Sequence, residues 1–258
     1  MKKEINRLPF VETVARSFKY VFKNRELQKA MLPVIAGLFV AQLIFGMPLL
    51  CSYSSEYCQG KWNFLNLLII LVCATGIIIN YCRSIICKEN SDYISKAFWK
   101  RVCLYLLVSF SLSTIVALAT MLLVVPVGYI STSETMVVAF TAIITIIISI
   151  MLAPIFLIFP AIAVDNKEMI NIKKVYAMAK NNFNAIFWGQ FVIMIPFWLL
   201  NQMAIELYAL LSNPNYFMKA LFLALATFLS VIDACFKGAF FAHIYQFFTF
   251  YDKHQKEE

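Results

Sequence analysis

Asp233 and Lys237 stand four residues apart in SVIDACFKGAFF, inside an otherwise apolar run. That spacing stacks the two side chains on one face of a helix, and with the acid on the N-terminal side the order favours an intrahelical ion pair. A charged side chain at the centre of a membrane helix costs about 2.5–3.5 kcal/mol on insertion scales, so charges kept there are candidates for function. If a helix enters the membrane at Phe217, Asp233 lies about 24 Å deep and Lys237 about 30 Å. Two roles fit. One is a structural pair near the inner edge, with Lys237 snorkelling and neutralising its neighbour. The other is a polar pocket or proton-linked path shared with another helix. Glu206 is the third such residue: it follows Asn201 and Gln202 in LLNQMAIELYA and shares a helix face with Gln202. Its carboxyl suits either hydrogen bonding between helices or an outward-facing vestibule.

Enzyme constellations are absent from the sequence. The two histidines are His243 and His254, and there is no HExxH, phosphate-binding lysine loop, GxSxG or carboxylate pair at metal-ligand spacing. The chain therefore reads as non-enzymatic, with no cofactor and no metal. Seven cysteines form no metal signature. Cys51 and Cys58 share CSYSSEYCQGKW, where they either close a short disulfide in an oxidising compartment or remain thiols. Cys73, Cys82, Cys87, Cys103 and Cys235 read as small apolar packing residues.

The elements that position these residues follow from composition. Of 258 residues, 62% are hydrophobic and 14% charged, with a mean hydropathy of +0.77, whereas a soluble domain carries about 25% charged residues. The expected class is all-α: a polytopic membrane protein. A spanning helix takes about 20 apolar residues, and six runs qualify: 31–50, 62–82, 102–126, 136–164, 185–212 and 217–240. They form one transmembrane domain, 31–250, flanked by an amphipathic segment, 1–30, and a tail, 251–258. No secretory leader is recognised in MKKEINRLPFVETVARSF. Of the 22 Lys and Arg, only Lys61 and Lys219 fall in one set of alternate loops and Lys237 in a run; the rest crowd the other set and the termini. The positive-inside bias then places both termini in the cytoplasm of a bacterial inner membrane. A net charge of +8 distributed this way is a topology signal, and no nucleic-acid partner is expected.

Each inner segment is amphipathic. Phe10, Val14, Phe18 and Val21 recur at helical steps, opposite Glu12, Arg16, Lys19 and Lys23. Tyr93, Ile94, Ala97 and Phe98 oppose Asp92, Lys96 and Lys100, beside Trp99. In the third, Met169, Ile172, Tyr176, Ala179 and Phe183 form a stripe, and Lys167, Lys173, Lys174 and Lys180 supply the cations. Such segments are expected to lie in the membrane interface with their ammonium groups toward anionic headgroups. Pro154, Pro160 and Pro196 each remove a backbone donor, so kinks are expected in the fourth and fifth runs.

The stretch FPAIAVDNKEMINIKKVYAMAKNNF, residues 159–183, the ending AFFAHIYQFFTFYDKH and the start SFKYVFKNRELQKAMLPV together resemble a group of six-helix bacterial inner-membrane proteins. The group includes the YciC-like family and the membrane domain attached to some glycerophosphoryl diester phosphodiesterases. The resemblance implies a membrane-embedded bundle with no catalytic module of its own. A basic residue associated with the fourth helix is missing from IISIMLAPIFLIFP, and KNNF stands where a glycine is usual.

Two functions compete at this stage. The leading one is an integral membrane protein that engages the bilayer, anionic headgroups or another membrane protein through its basic amphipathic helices. The alternative is a small-solute transporter or permease with a polar path through Asp233, Lys237 and Glu206. The topology beneath both is directly testable. Reporter fusions at residues 55, 131 and 214 should read periplasmic and those at 90, 175 and 258 cytoplasmic; the opposite pattern would overturn the orientation.

Overall fold

The computed structural model describes residues 8–51, 56–90, 92–130, 134–209 and 216–257, and among these the chain is helical with no strand. An amphipathic helix α1 (Phe10–Lys23) is followed by α2 (Arg25–Cys51), α3 (Glu56–Ile86), α4 (Lys96–Ile130) and α5 (Glu134–Leu152). A short α6 (Ile158–Ala163), a short α7 (Ile172–Met178) and the long α8 (Phe183–Ala209) and α9 (Tyr216–Glu257) complete it. Five stretches are long and apolar enough to cross a membrane: Leu67–Ile86, Lys96–Val125, Ala139–Ala163, Phe183–Ala204 and Ala220–Thr249. They correspond to the second through sixth expected runs, with ends that differ by one to nine residues, and the expected end at 212 lies outside the described residues. The first run, 31–50, lies within α2 and is not among the five.

The prolines act as expected at one place. Pro154 has no N–H to give, and the chain there tightens into a 3₁₀ turn, Ala153–Leu157, that separates α5 from α6. The fourth run is thus two helices joined by a turn. Pro196 sits inside an unbroken α8.

Helix α9 is the hub, packing on α1, α2, α3 and α8. A Cβ at Gly238 would lie 2.8 Å from the Tyr81 Cβ and 3.0 Å from the Ile78 Cα and carbonyl oxygen, so only glycine allows α3 this close. The Cys82 thiol donates to the Gly238 carbonyl across the contact at 3.4 Å. Phe236, Phe240 and Tyr81 are fully buried in the same core. By contrast Leu107, Phe110, Ile115, Leu118 and Leu122 of α4 are exposed. A stripe of that kind fits hydrocarbon as its solvent.

The three amphipathic segments depart from a simple interfacial placement. Helix α1 forms, but its apolar side is taken up by protein: Thr13, Ser17 and Val21 are buried and the Phe18 ring meets Phe236 at 4.3 Å between centroids. Its start is tied by the Leu8 N–H, which donates to Asn182 Oδ1 at 2.8 Å. Val11 and Phe22 are what it leaves exposed. Within the segment expected at 1–30, whose first seven residues lie outside the described ones, α1 ends at Lys23 and α2 begins at Arg25. In the second segment Lys96 is the first residue of α4, Phe98 is buried, and Ile94 projects at 92% exposure, with Trp99 also exposed. In the third the stripe is broken. A 3₁₀ turn at Lys167–Ile170, the short α7 and a turn at Asn181 interrupt it, so Met169 and Ala179 face the bundle while Ile172 is exposed. The Tyr176 hydroxyl donates to the Met151 carbonyl at 2.7 Å, fastening α7 to the end of α5. The tail expected at 251–258 continues α9 as helix to Glu257.

The corner has a charged lock. Asp165 adopts a left-handed backbone, φ 58°, and Asn181 closes the far side at φ 71°, a conformation that Asp and Asn tolerate better than most residues. The Asp165 carboxylate accepts from Arg101 Nε at 2.9 Å and Nη2 at 2.5 Å, and Arg83 Nη1 lies 3.9 Å away. Arg83 also donates to the Ala163 carbonyl at 3.3 Å and pairs with Glu89 at 2.7 Å. Three helix ends, of α3, α4 and α6, meet here.

The Arg101 hydrogen bonds, aided by the charges of Arg101, Arg83 and Lys100, hold the Asp165 carboxyl below its ordinary range. A carboxyl depressed in the folded state adds stability above its unfolded pKa, and the gain is lost as pH falls through the folded value. Arg101→Gln should therefore lower the thermal midpoint in detergent at neutral pH, with the gap to wild type closing as pH falls below about 4. A gap of constant size through that window would remove Asp165 from the explanation.

Candidate functional site

The intramembrane pair forms as its spacing requires. Lys237 Nζ donates to Asp233 Oδ2 at 2.5 Å, with both side chains 23% exposed. The second carboxylate oxygen, Asp233 Oδ1, is buried with no hydrogen-bond partner among the described residues. Two cavities flank the pair, and Lys237 lines both. The larger, of about 720 Å³, runs between α3, α4, α5, α8 and α9, with Thr75, Ser109, Ser113, Thr145 and Gln190 among its lining. The smaller, of about 230 Å³, is lined by Asn201, Trp198 and Ser230 as well as the pair.

Glu206 is not part of this constellation. It is exposed on α8, as is Gln202, and it lines neither cavity. Asn201, which in the sequence is only a polar companion of Glu206, is the residue that α8 turns toward Asp233. Gln190, about three turns earlier on the same helix, lines the larger cavity, and among the described residues its buried Oε1 has no hydrogen-bond partner, nor has Thr120 Oγ1. Nothing in the local sequence distinguishes these residues from other polar residues in membrane helices; packing selects them.

A second site lies at the charged end, between α1 and α9. A cleft of about 460 Å³ is lined by Arg16, Lys19, Tyr20, Lys23, Asn24, His243 and Gln246. The steps from Arg16 to Lys19, Tyr20 and Lys23 put all four side chains on one face of α1. The apolar side of that helix is clamped on α8 and α9, so the basic face is held over the end of α9. The cleft walls are fixed by hydrogen bonds. Tyr20 Oη shares one with Ser84 Oγ at 2.9 Å, Asn24 donates to Tyr20 Oη at 2.8 Å, and Gln246 donates to the Ile85 carbonyl at 2.9 Å. The buried His243 Nε2 has no hydrogen-bond partner among the described residues, and its ring lies 6.0 Å from that of Tyr20. Among the described residues no carboxylate lines this lip of three cations, and Arg16 pairs with Glu12 at 2.5 Å. Sequence periodicity marks Arg16, Lys19 and Lys23 as one face, but gives no hint that His243 and Gln246 close it.

The third basic cluster is spread out by comparison. Lys167, Lys173 and Lys180 are exposed at the corner, and Lys174 pairs with Glu168 at 3.1 Å. The side chains of Cys51 and Cys58 lie outside the described residues, and the backbone puts Cys51 at the last position of α2 and Cys58 in the first turn of α3. Cys82 and Cys235 are buried, in keeping with packing roles, whereas Cys103 is exposed. No cluster of His, Cys, Asp and Glu with metal-binding geometry occurs among the described residues. Set beside family models, curated proteins and solved structures, the chain matches none.

Proposed function

We propose that the chain is a non-enzymatic, six-helix protein of the bacterial inner membrane, with both termini in the cytoplasm, whose charged end binds the headgroups of anionic lipids. The observation that carries this reading is the α1–α9 cleft, where Arg16, Lys19 and Lys23 converge with Asn24, His243 and Gln246 around a space of about 460 Å³. An ammonium or guanidinium group near a membrane surface adds about 1 kcal/mol of attraction to an anionic leaflet, and a charge-assisted hydrogen bond to a phosphate oxygen adds direction. The exposed Val11 and Phe22 of the same helix suit the acyl chains beside such a headgroup. Lys167, Lys173 and Lys180, exposed at the neighbouring corner, add charge without a cleft. The likeness of residues 159–183 to the six-helix inner-membrane group supports the placement in that membrane.

The same cleft is why headgroup binding is preferred to small-solute transport. A path through Asp233, Lys237 and Glu206 needs all three in one passage, and Glu206 stands outside both cavities.

Purified protein in mixed phosphatidylcholine–phosphatidylglycerol micelles should retain phosphatidylglycerol selectively in native mass spectrometry. The triple variant Arg16→Gln, Lys19→Gln, Lys23→Gln should lose that retention by about tenfold or more. The variant with Lys167, Lys173, Lys174 and Lys180 all changed to Gln should lose less. Retention untouched by the triple change, or governed by the quartet alone, would move the headgroup site off α1.

A further inference from the structure

The larger intramembrane cavity has a shape and a polar equipment that headgroup binding at the charged end does not use. Its α4 wall runs from Tyr105 to Met121, about 24 Å along a helix axis. A volume of about 720 Å³ over that length gives an average cross-section of about 30 Å². That is a slot with the girth of a single extended hydrocarbon chain. Toward Met121 its walls are mostly apolar, with Leu71, Leu112, Val116 and Ala117. Hydroxyls of Ser109, Ser113 and Thr120 punctuate the α4 wall along its whole length, while the ammonium of Lys237 and the amide of Gln190 lie nearer the charged end. Lys237 is six residues before His243, hence about 9 Å along α9 from the basic cleft. Gln190 is at a similar level, since a Cβ on its neighbour Gly189 would run into the Phe240 ring, one turn from Lys237.

These two side chains have unused hydrogen-bonding capacity. An ammonium group carries three N–H donors, and among the described residues Lys237 gives one, to Asp233. Gln190 Oε1 is a buried acceptor with no donor among the described residues. Groups left unpaired where water is scarce are costly. The slot therefore offers both donors and an acceptor at one end of a chain-shaped space. Because Asp233 already neutralises Lys237, a fully charged head would bring an unbalanced charge into hydrocarbon. A neutral head that both accepts and donates fits instead.

We propose that this slot binds a single-chain amphiphile with a hydroxyl-bearing head, either a long-chain carboxylic acid in its protonated form or a monoacylglycerol. The head oxygen accepts from Lys237, the head O–H donates to Gln190 Oε1, and the chain lies along α4 toward Met121. This site is separate from the α1–α9 cleft and stands or falls independently of headgroup binding there.

Photoreactive analogues of the acid, the monoacylglycerol and the methyl ester of the acid, which lacks the O–H donor, supply the test on the full-length protein in nanodiscs. The acid or the acylglycerol should label α4 between residues 105 and 121, and whichever is displaced by its unlabelled form identifies the source of the head. The ester should label about tenfold more weakly. The paired change Asp233→Asn with Lys237→Met, which leaves no buried charge unpaired, should reduce acid or acylglycerol labelling to the ester's level. Ala117→Trp, which fills the slot while sparing the pair, should abolish labelling yet keep the wild-type thermal unfolding transition in nanodiscs, showing that the protein is folded. Equal labelling by ester and acid, or labelling indifferent to Ala117→Trp, would mean that ordinary lipid chains visit the cavity unselectively and would overturn the proposal.

Discussion

The close approach of α9 to α3 at Gly238 is the contact on which the rest of the molecule depends. In a bilayer, apolar side chains gain little by leaving lipid for protein, so helices associate where small residues let backbones approach and dispersion contacts multiply. Gly238 provides that approach against Ile78 and Tyr81, and in doing so it fixes the rotation of α9 about its own axis. Each residue of a helix is turned by 100° from the last. With Gly238 pressed on α3, Lys237 must point to the neighbouring gap between α3, α4 and α8, and Asp233, one turn away, must share its face. Further along, His243 and Gln246 come round toward α1 and α3. Both candidate sites are thus read off one helix whose register a single glycine sets.

The charged end is held by a second set of constraints. Arg101 and Arg83 gather the ends of α3, α4 and α6 around Asp165, while Asn182 receives the start of α1 and Tyr176 fastens α7 to α5. Here the segments connecting the long helices are parts of the bundle. This explains why α1 can offer a basic face at a fixed angle. A helix floating freely in the interface would turn its apolar side to lipid; α1 has that side occupied by Phe236 and its neighbours, so its cations are pre-organised over the end of α9.

Much of this was legible in the sequence, for identifiable reasons. Runs of apolar residues report helices in a membrane protein because backbone polar groups there have no other partner, and the second to sixth runs match the five long apolar helices to within a few residues at most ends. The Asp233–Lys237 pair was legible because i, i+4 geometry is local. Pro154 marked its 3₁₀ turn for the same reason. What failed to show was everything set by tertiary packing. Periodicity gives α1 an apolar side without saying whether lipid or protein covers it. It also makes the Met169–Phe183 stripe continuous, when turns break the helix and send Met169 and Ala179 inward. The polar string Asn201, Gln202, Glu206 offers three candidates, and only the rotation of α8 decides that Asn201 faces the cavity.

The dependence on Gly238 is the claim most directly open to measurement. Thermal unfolding in lipid nanodiscs should be compared for Gly238→Ala and Gly37→Ala, since a Cβ at Gly37 meets nothing within 4 Å. Forcing a methyl group into the α3–α9 contact should destabilise the protein by about 1–3 kcal/mol. Gly37→Ala should be neutral or slightly stabilising, by up to about 1 kcal/mol, through helix propensity. If the two variants unfold alike, α9 is not positioned by this contact, and the placement of Lys237 and His243 derived from it would be contradicted.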